Sequence, residues 1–585
     1  MNNFKMNYPR PQLRRNSYVN LDGAWGFRED QESKGEQHKL YHGFIADQTI
    51  MVPYSIEASL SGIGKQEELE NMWYQKVIVL DKKQLQKRCI LHFDGVDYTA
   101  KVWMNGHYVG RHDGAYTRFS FDISEYVTAG DNVLVVKVED SFNIEQPRGK
   151  QRWLPNNYSC WYVQTTGIWK SVWMEFVEEV HIERIKFTPV VSEYVLNFEY
   201  FLNKKQKNVS LEIQILRDNR LQKKIKLDHI TQSGHVGIDL VSLYEEHQVE
   251  FWRMEKPSLY DVKLVLLQDD VVVDEVESYF GFREFKQEGR LLCLNGMPVY
   301  QKLVLYQGYW ENSGLSAPNE DAMIKDLEMI KEMGYNGLRI HQKIESELFL
   351  YHADRLGLLV WCEMPSPHLF NDNMKERVTK EWIDIIRQYY NHPSIITWLI
   401  FNESWGIRGV KHNKEMQAFV DGLYYLTKAF DPMRPVIAND GWEHAKTDIV
   451  SIHHYEQDAY KLYEMYKDLD MVMSRKSTAL IQHSVFSKGY VYEDQPVIMS
   501  EFGGCGFKSD MKKNDWGYSA ADSQEQFYDQ FGSLVKAVKK LEYMCGYCYT
   551  QFSDVEQEKN GLVTMNRTYK VDPQRIRQIN EGGIL

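Results

Sequence analysis

The sequence predicts three parts in order: a β-sandwich, a small immunoglobulin-like β-sandwich and a C-terminal (β/α)₈ barrel. Three observations predict it. Short β-branched and aromatic runs fill the first 284 residues without intervening helices, the pattern changes near residue 290, and apolar runs then alternate with helical periodicity. A chain of 585 residues also exceeds one hydrophobic core, so several domains are required.

Residues 1–180 read as the first sandwich. QKVIVL, CILHFDGV, YTAKVWMNGHYVGRH and NVLVVKVED are strand-like and separated by turn signals. Asn105-Gly106 predicts a tight hairpin, because a type I′ turn needs positive φ at both central residues. Residues 181–284 continue with SLEIQIL and YDVKLVLLQDDVVVDEVESYFGF, enough for one immunoglobulin-like sandwich. Residues 285–585 carry the barrel. Asn319 caps a helix in which Met323, Ile324, Leu327, Ile330 and Met333 recur at helical spacing, and Gly334 ends it. Further helices are predicted over 345–356, 375–391, 410–430, 456–469 and 522–540. Val378, Trp382, Ile385 and Tyr389 mark the buried face of the second of these. Between them lie apolar runs at 336–340, 356–362, 394–401, 435–438, 448–452 and 496–500, and EYMCGYCYTQF is the last strand. Strand–helix alternation over about 290 residues matches a closed eight-fold barrel. An open doubly wound sheet would want a glycine-rich phosphate loop after its first strand, and YQKLVLYQGYW offers none.

Composition narrows the partners. A net charge of −13 disfavours nucleic acid and anionic membranes. No 18-residue apolar run and no leader-like stretch occurs, and seven scattered cysteines suit a reducing compartment, so a cytoplasmic location is expected. Cys545 and Cys548 form the one CxxC, on a strand where a three-residue offset points them to opposite faces.

Barrel enzymes assemble their sites at the C-terminal ends of strands. The apolar runs end in Arg339 and His341, in Glu363, in Asn402-Glu403, in His453-His454-Tyr455, in Glu501, and in Gln551 and Asp554. Two glutamates on the fourth and seventh strands face each other across the mouth. Such a pair serves glycoside hydrolysis, in which one carboxylate attacks the anomeric carbon and the other acts as acid and then base. The acid must hold its proton near neutral pH, and Trp398, Phe401 and Trp405 are expected to supply apolar surroundings for Glu403. Glutamates merely salt-bridged to Arg339 are the structural alternative on spacing alone.

NHPSIITWLIFNESWG and PVIMSEFGG resemble the acid/base and nucleophile signatures of glycoside hydrolase family 2, the family of β-galactosidases, β-glucuronidases and β-mannosidases. PRPQLRRNSYVNLDGAWGF, HFDGVDYTAKVWMNGHYVGRHDGAYTRFSFDIS, TTGIWKSVWME and YFGFREF extend the resemblance over nearly the whole chain. It implies a sugar-binding-like jelly roll, an immunoglobulin-like domain and the barrel. It also implies Glu403 as acid/base, Glu501 as nucleophile, Asn402 as a donor to the sugar 2-hydroxyl and Tyr455 as a donor to Glu501. Either His453 or His454 would contact sugar hydroxyls, a buried structural role being the alternative for one of them.

Departures from the family pattern concern the sugar. The Asn-x-Lys that reads a glucuronide carboxylate becomes Asn566-Arg567-Thr568, with Arg567 or Lys570 as substitutes. The strand-eight tryptophan falls near Thr550, which makes Gln551 and Asp554 candidate hydroxyl readers. Met364-Pro365 follows Glu363 where some relatives place a magnesium-binding histidine, so no metal and no cofactor is expected and Glu363 reads as a sugar or rim contact. Arg339 and His341 are expected to face the pocket, with Arg339 pairing a carboxylate. Asp440 and Trp442, in NDGWEH beyond strand five, are expected in the subsite wall. The expectation is a retaining exo-β-glycosidase, β-galactosidase-like, acting on an oligosaccharide or glycoside. β-Glucuronidase, β-mannosidase and α-L-arabinopyranosidase are the alternatives, and a homodimer through the sandwiches is compatible. A non-catalytic carbohydrate-binding protein is opposed by the intact glutamate pair.

Overall fold

A computed structural model describes residues 8–241, 249–474 and 483–582. The first sandwich faces a four-stranded sheet (Tyr18–Asn20, Val172–Val177, Arg88–Phe93, Phe119–Asp122) against a six-stranded one. The latter runs Gln48–Val52, Gly23–Glu29, Asn71–Leu80, Gly130–Glu139, Thr99–Met104 and His107–Asp113. Side-chain alternation sorts the core. Leu134, Val136 and Val138 point between the sheets with Leu91 and Phe93, while Val135 points outward onto Trp73 and Trp103. Asn105 and Gly106 take φ of +51° and +80°, as the predicted hairpin requires.

The second sandwich pairs a three-stranded sheet (Ile182–Val190, Val195–Leu202, Ser233–Asp239) with a four-stranded one (Arg220–Leu227, Val209–Arg217, Tyr260–Gln268, Val271–Phe280) around its own apolar core.

Eight parallel strands form the barrel: Gln301–Tyr306, Gly337–Ile340, Leu359–Glu363, Ile395–Asn402, Val436–Asp440, Val450–His453, Val497–Gly503 and Met544–Thr550. Their hydrogen-bonded ladder runs from the fifth strand back to the first, on to the eighth and seventh, and ends at the sixth. The fifth and sixth strands meet through the His453 amide, which donates to the Gly441 carbonyl at 3.3 Å. A small sheet (Phe285–Glu288, Leu291–Leu294, Met297–Pro298) plugs the far end, where Phe285, Leu292 and Leu294 pack on Leu303, Leu359 and Trp361.

Helix Asp372–Tyr389 buries Val378, Trp382, Ile385 and Tyr389, the predicted face. The helix expected over 456–469 divides into Ala459–Tyr466 and Leu469–Met473, because the Asp468 side chain accepts from the Met471 amide and starts a second helix. Cys545 and Cys548 pack in one cluster rather than on opposite faces, since Gly546 at φ +155° breaks the alternation; both thiols are free.

The first sandwich docks onto the barrel through a continuous core that includes Tyr98, Tyr116, Tyr162 and Trp169. Polar contacts fix the docking: the Tyr116 amide donates to Glu381 at 2.8 Å and Arg118 to Glu347 at 2.8 Å. The sandwich segment 148–162 continues over the barrel mouth. The amides of Arg148 and Gly149 both donate to the Ser366 carbonyl, at 3.1 and 3.0 Å.

Candidate active site

Alternation along the strands decides which polar residues enter the barrel. Leu359 and Trp361 point inward, so Glu363 does too, two residues beyond Trp361. Arg339 sits opposite Leu305 and Trp361 in register and is fully buried inside the mouth.

Its guanidinium organises everything around it. Nε donates to Glu363 at 2.7 Å, Nη1 to Glu501 at 2.9 Å and Nη2 to the Asn402 Oδ1 at 2.7 Å, and Asp440 makes a further ion pair. Burial alone would disfavour its charge, but Asp440, Glu363 and Glu501 more than offset that and hold the proton firmly. An arginine can only donate, so one neighbouring orientation follows. The Asn402 amide must turn its oxygen to Arg339 and its Nδ2 elsewhere. His341 Nδ1 lies 3.1 Å from Nη2 and 3.2 Å from Glu363 Oε1, so it faces both a donor and an acceptor. Burial lowers the pKa of His341, consistent with a neutral ring.

His453 joins the two glutamates. Its Nδ1 lies 2.8 Å from Glu403 Oε1, and its Nε2 lies 2.7 Å from Asp440 and 3.5 Å from Glu501. Burial would strip its proton, but Glu501 and Asp440 reverse that and raise its pKa to about 10. Burial would likewise raise Glu501, yet His453 and Arg339 outweigh it and hold this carboxyl below the usual range. Tyr455 donates to its second oxygen at 2.6 Å, and is itself 3.0 Å from the Thr550 hydroxyl.

Glu403 is reached by a different device. The fourth strand ends at Asn402, and Glu403 and Ser404 both take left-handed φ, +50° and +57°. Such values are costly for side-chain-bearing residues and need surrounding support. The Glu403 amide donates to the Asp440 carbonyl, and the Ser404 amide to Asn439 Oδ1, each at 3.0 Å. The turn leaves the Glu403 side chain 22% exposed, against 6% for Glu501. One carboxylate oxygen of each, and a nitrogen of His453, all lie within 4.8 Å of one another.

Several expected residues sit elsewhere than anticipated. Asp440 is on strand five rather than beyond it, and is fully buried beneath the glutamates instead of forming a wall. Glu363 is equally buried, with Gln342 donating to its other oxygen at 2.5 Å, so it supports Arg339 rather than meeting sugar directly. His454 points away to the Tyr466 hydroxyl at 2.7 Å, because adjacent residues on a strand face opposite ways; His453 takes the inner place. Trp398 bonds Asp431 and Phe401 packs on Phe419, both on the outer face, so only Trp405 of the three aromatics stands by the mouth. Trp442 stacks on His483 at 4.1 Å and edges His453. Gln551 is locked between Gln307 and Asn560. Asp554 pairs with Lys570 at 3.0 Å beside a separate cavity of about 550 Å³ that also includes Asn566 and Glu311. Arg567 is consumed by Asp326, so neither it nor Lys570 is free to replace the missing lysine.

Strand-end reading misses what the other domain and the later loops bring. Glu558 accepts from the Tyr162 hydroxyl and from Asn560 Nδ2, the latter at 3.1 Å. Trp161 lies 5.6 Å from Trp405. Lys150 shares the electrostatic field of Glu558, Glu501 and Glu403. None of these residues ends a barrel strand, so no periodicity marks them.

An eight-fold barrel behind two sandwiches, with paired carboxylates at its strand ends, is the arrangement of a glycoside hydrolase. The sugar binding domain of glycosyl hydrolases family 2 matches residues 18–176, the family 2 domain matches 180–283 and the family 2 TIM barrel domain matches 285–581. The chain belongs to glycoside hydrolase family 2. It is 30% identical over 385 residues to a putative β-glucuronidase of Formosa agariphila, covering 62% of this chain and 44% of that one. It is 28% identical over 350 residues to a β-galactosidase of Thermoanaerobacter pseudethanolicus, covering 57% and 44%. The matches thus span under half the length of these two relatives. Among solved structures, a β-glucuronidase from Ruminococcus gnavus superposes with a TM-score of 0.78 at 18% identity, over 97% of this chain and 99% of that one.

Proposed function

We propose that the protein is a retaining exo-β-glycosidase whose sugar is a β-uronide of the glucuronide type. The approach of one carboxylate oxygen of Glu403 to one of Glu501 within 4.8 Å supports the retaining mechanism. Retaining enzymes hold their carboxyls about 5–5.5 Å apart, whereas inverting ones leave roughly 6.5–9.5 Å for a water. Glu501, kept ionised by His453 and Arg339 and oriented by Tyr455, attacks the anomeric carbon. Glu403 gives its proton to the leaving oxygen, then takes one from the water that hydrolyses the glycosyl-enzyme. Asn402 Nδ2, whose orientation Arg339 sets, donates to a sugar hydroxyl as charge develops.

The uronide reading replaces the galactoside expectation, and the β-glucuronidase relative, at 30% identity, supports it over the β-galactosidase at 28%. A β-galactoside is the second reading, favoured by Asn566-Arg567-Thr568 in place of Asn-x-Lys. Aryl β-glycosides of glucuronic acid, galactose, mannose and α-L-arabinopyranose decide between them. The highest kcat/KM is expected on the glucuronide, and turnover of the galactoside alone would overturn the sugar assignment. Glu501→Ala should lose at least about 10³-fold in kcat, with azide restoring turnover as the inverted glycosyl azide. Undiminished turnover in Glu501→Ala would remove it as the nucleophile.

A further inference from the structure

A sugar carboxylate entering this mouth meets the negative charge of Glu501 and Glu558, so it needs a cation with free donors. Among the described residues, the obvious buried cations are taken. Arg339 is saturated by Glu363, Glu501, Asn402 and Asp440. Lys343 bonds Glu345 and the Gly308 carbonyl, Arg567 holds Asp326, and Lys570 holds Asp554.

Lys150 differs. Its side chain is 8% exposed, and its nearest carboxylate is Glu558 at 3.9 Å, beyond hydrogen-bond reach. Glu558 is already satisfied without it, through Tyr162 and Asn560. The Lys150 ammonium has no hydrogen-bond acceptor among the described residues, so its donors are available to a ligand. Burial would lower its pKa, but Glu558, Cys160, Glu501 and Glu403 reverse the shift, so the charge is retained beside the catalytic pair.

The backbone around Lys150 is built to place it there. The preceding Gly149 donates to the Ser366 carbonyl at 3.0 Å, and His368 Nε2 is 3.0 Å from the Gly149 carbonyl. Gly149 has φ +61°, and a Cβ on it would stand 2.3 Å from the Gln342 carbonyl oxygen, so glycine permits this close approach. The Lys150 carbonyl in turn accepts from the Tyr162 amide at 2.9 Å.

We propose that Lys150, a residue of the first sandwich, is the specificity residue that binds the glycone carboxylate, in place of a lysine from the barrel. The assignment rests on the uronide reading above. The test measures kcat and KM of the full-length wild type, Lys150→Gln and Lys150→Arg on 4-nitrophenyl β-D-glucuronide and the corresponding β-D-glucoside and β-D-galactoside. Lys150→Gln should lower the glucuronide-to-neutral kcat/KM ratio about 10- to 100-fold, mainly through KM, as expected for a lost charge-assisted bond. Lys150→Arg should recover part of the ratio. An unchanged ratio in a Lys150→Gln protein that melts like the wild type overturns the proposal. So does an equal loss on all substrates without arginine rescue, which would make Lys150 structural. If Lys150→Gln fails to fold, Lys150→Arg carries the test, since a retained charge of altered reach must change the ratio. Failure of the uronide reading is separate, because it is seen in the wild type alone as absent glucuronide turnover.

Discussion

The pocket has two sides made in different ways. Its floor is a cluster of charged side chains on five barrel strands, each aimed inward by strand alternation and cross-linked through Arg339. Its wall is a strap from another domain, the segment 148–162, held by backbone contacts and by one glycine that lets two chains nearly touch. Under the proposed function, the floor would hold the groups that make and break bonds, and the wall those that choose the sugar. Rigid strands suit chemistry that tolerates little displacement, and a docked loop suits a specificity that differs between relatives.

The largest expected effect lies in the floor. Arg339→Met should cost about 3–5 kcal/mol of stability, because Glu363, Asp440 and Glu501 would lose their buried counter-charge. It should also reduce kcat on every glycoside tested. A variant with wild-type melting and a change confined to one substrate would erase the distinction between floor and wall.

Gly149→Ala tests the wall. The left-handed backbone alone costs about 1–2 kcal/mol with a Cβ present, and the contact with Gln342 forces the strap outward. The expected outcome is a melting temperature lower by a few degrees and a KM raised more for glucuronide than for neutral glycosides. A uniform fall in kcat would instead tie the strap to the chemistry.

A separate effect is a pH dependence of the floor. The pKa of His453 is raised to about 10, above its ordinary value of about 6.5. Its contribution to stability is therefore complete below about pH 6.5 and is lost as pH rises through about 10. The melting temperature of the wild type should fall relative to that of His453→Gln between pH 7 and 10. Parallel curves would mean that the ring does not hold its charge between Glu403 and Asp440.

The same division explains what the sequence makes legible. Apolar runs with a polar residue at the end mark Arg339, Glu363, Asn402 and Glu501, because the period of two that fills a barrel also aims its last side chains, while Glu403 is marked by position but aimed by a left-handed turn. The reading fails within one residue at His453-His454, where alternation sends the second ring to Tyr466, and strand composition alone does not fix the phase. It fails again at Trp398 and Phe401, which an apolar-environment argument draws toward Glu403 but which face the helices. Lys150, Trp161 and Glu558 lie outside its scope, since their position depends on how two domains dock. Asn566 through Lys570 look like the specificity stretch in sequence, yet Arg567 and Lys570 are spent on Asp326 and Asp554.

The barrel's backbone ladder stops between its fifth and sixth strands, and there the His453 amide reaches Gly441 and the Asp448 amide reaches Val436. The side chains of the same two strands meet just inside, His453 on Asp440 at 2.7 Å, with Glu403 and Glu501 on either flank. The reactive cluster therefore doubles as the clasp on the barrel's unlaced seam. A change of charge at Glu403 or Glu501 would thus act on a contact that also joins these two strands.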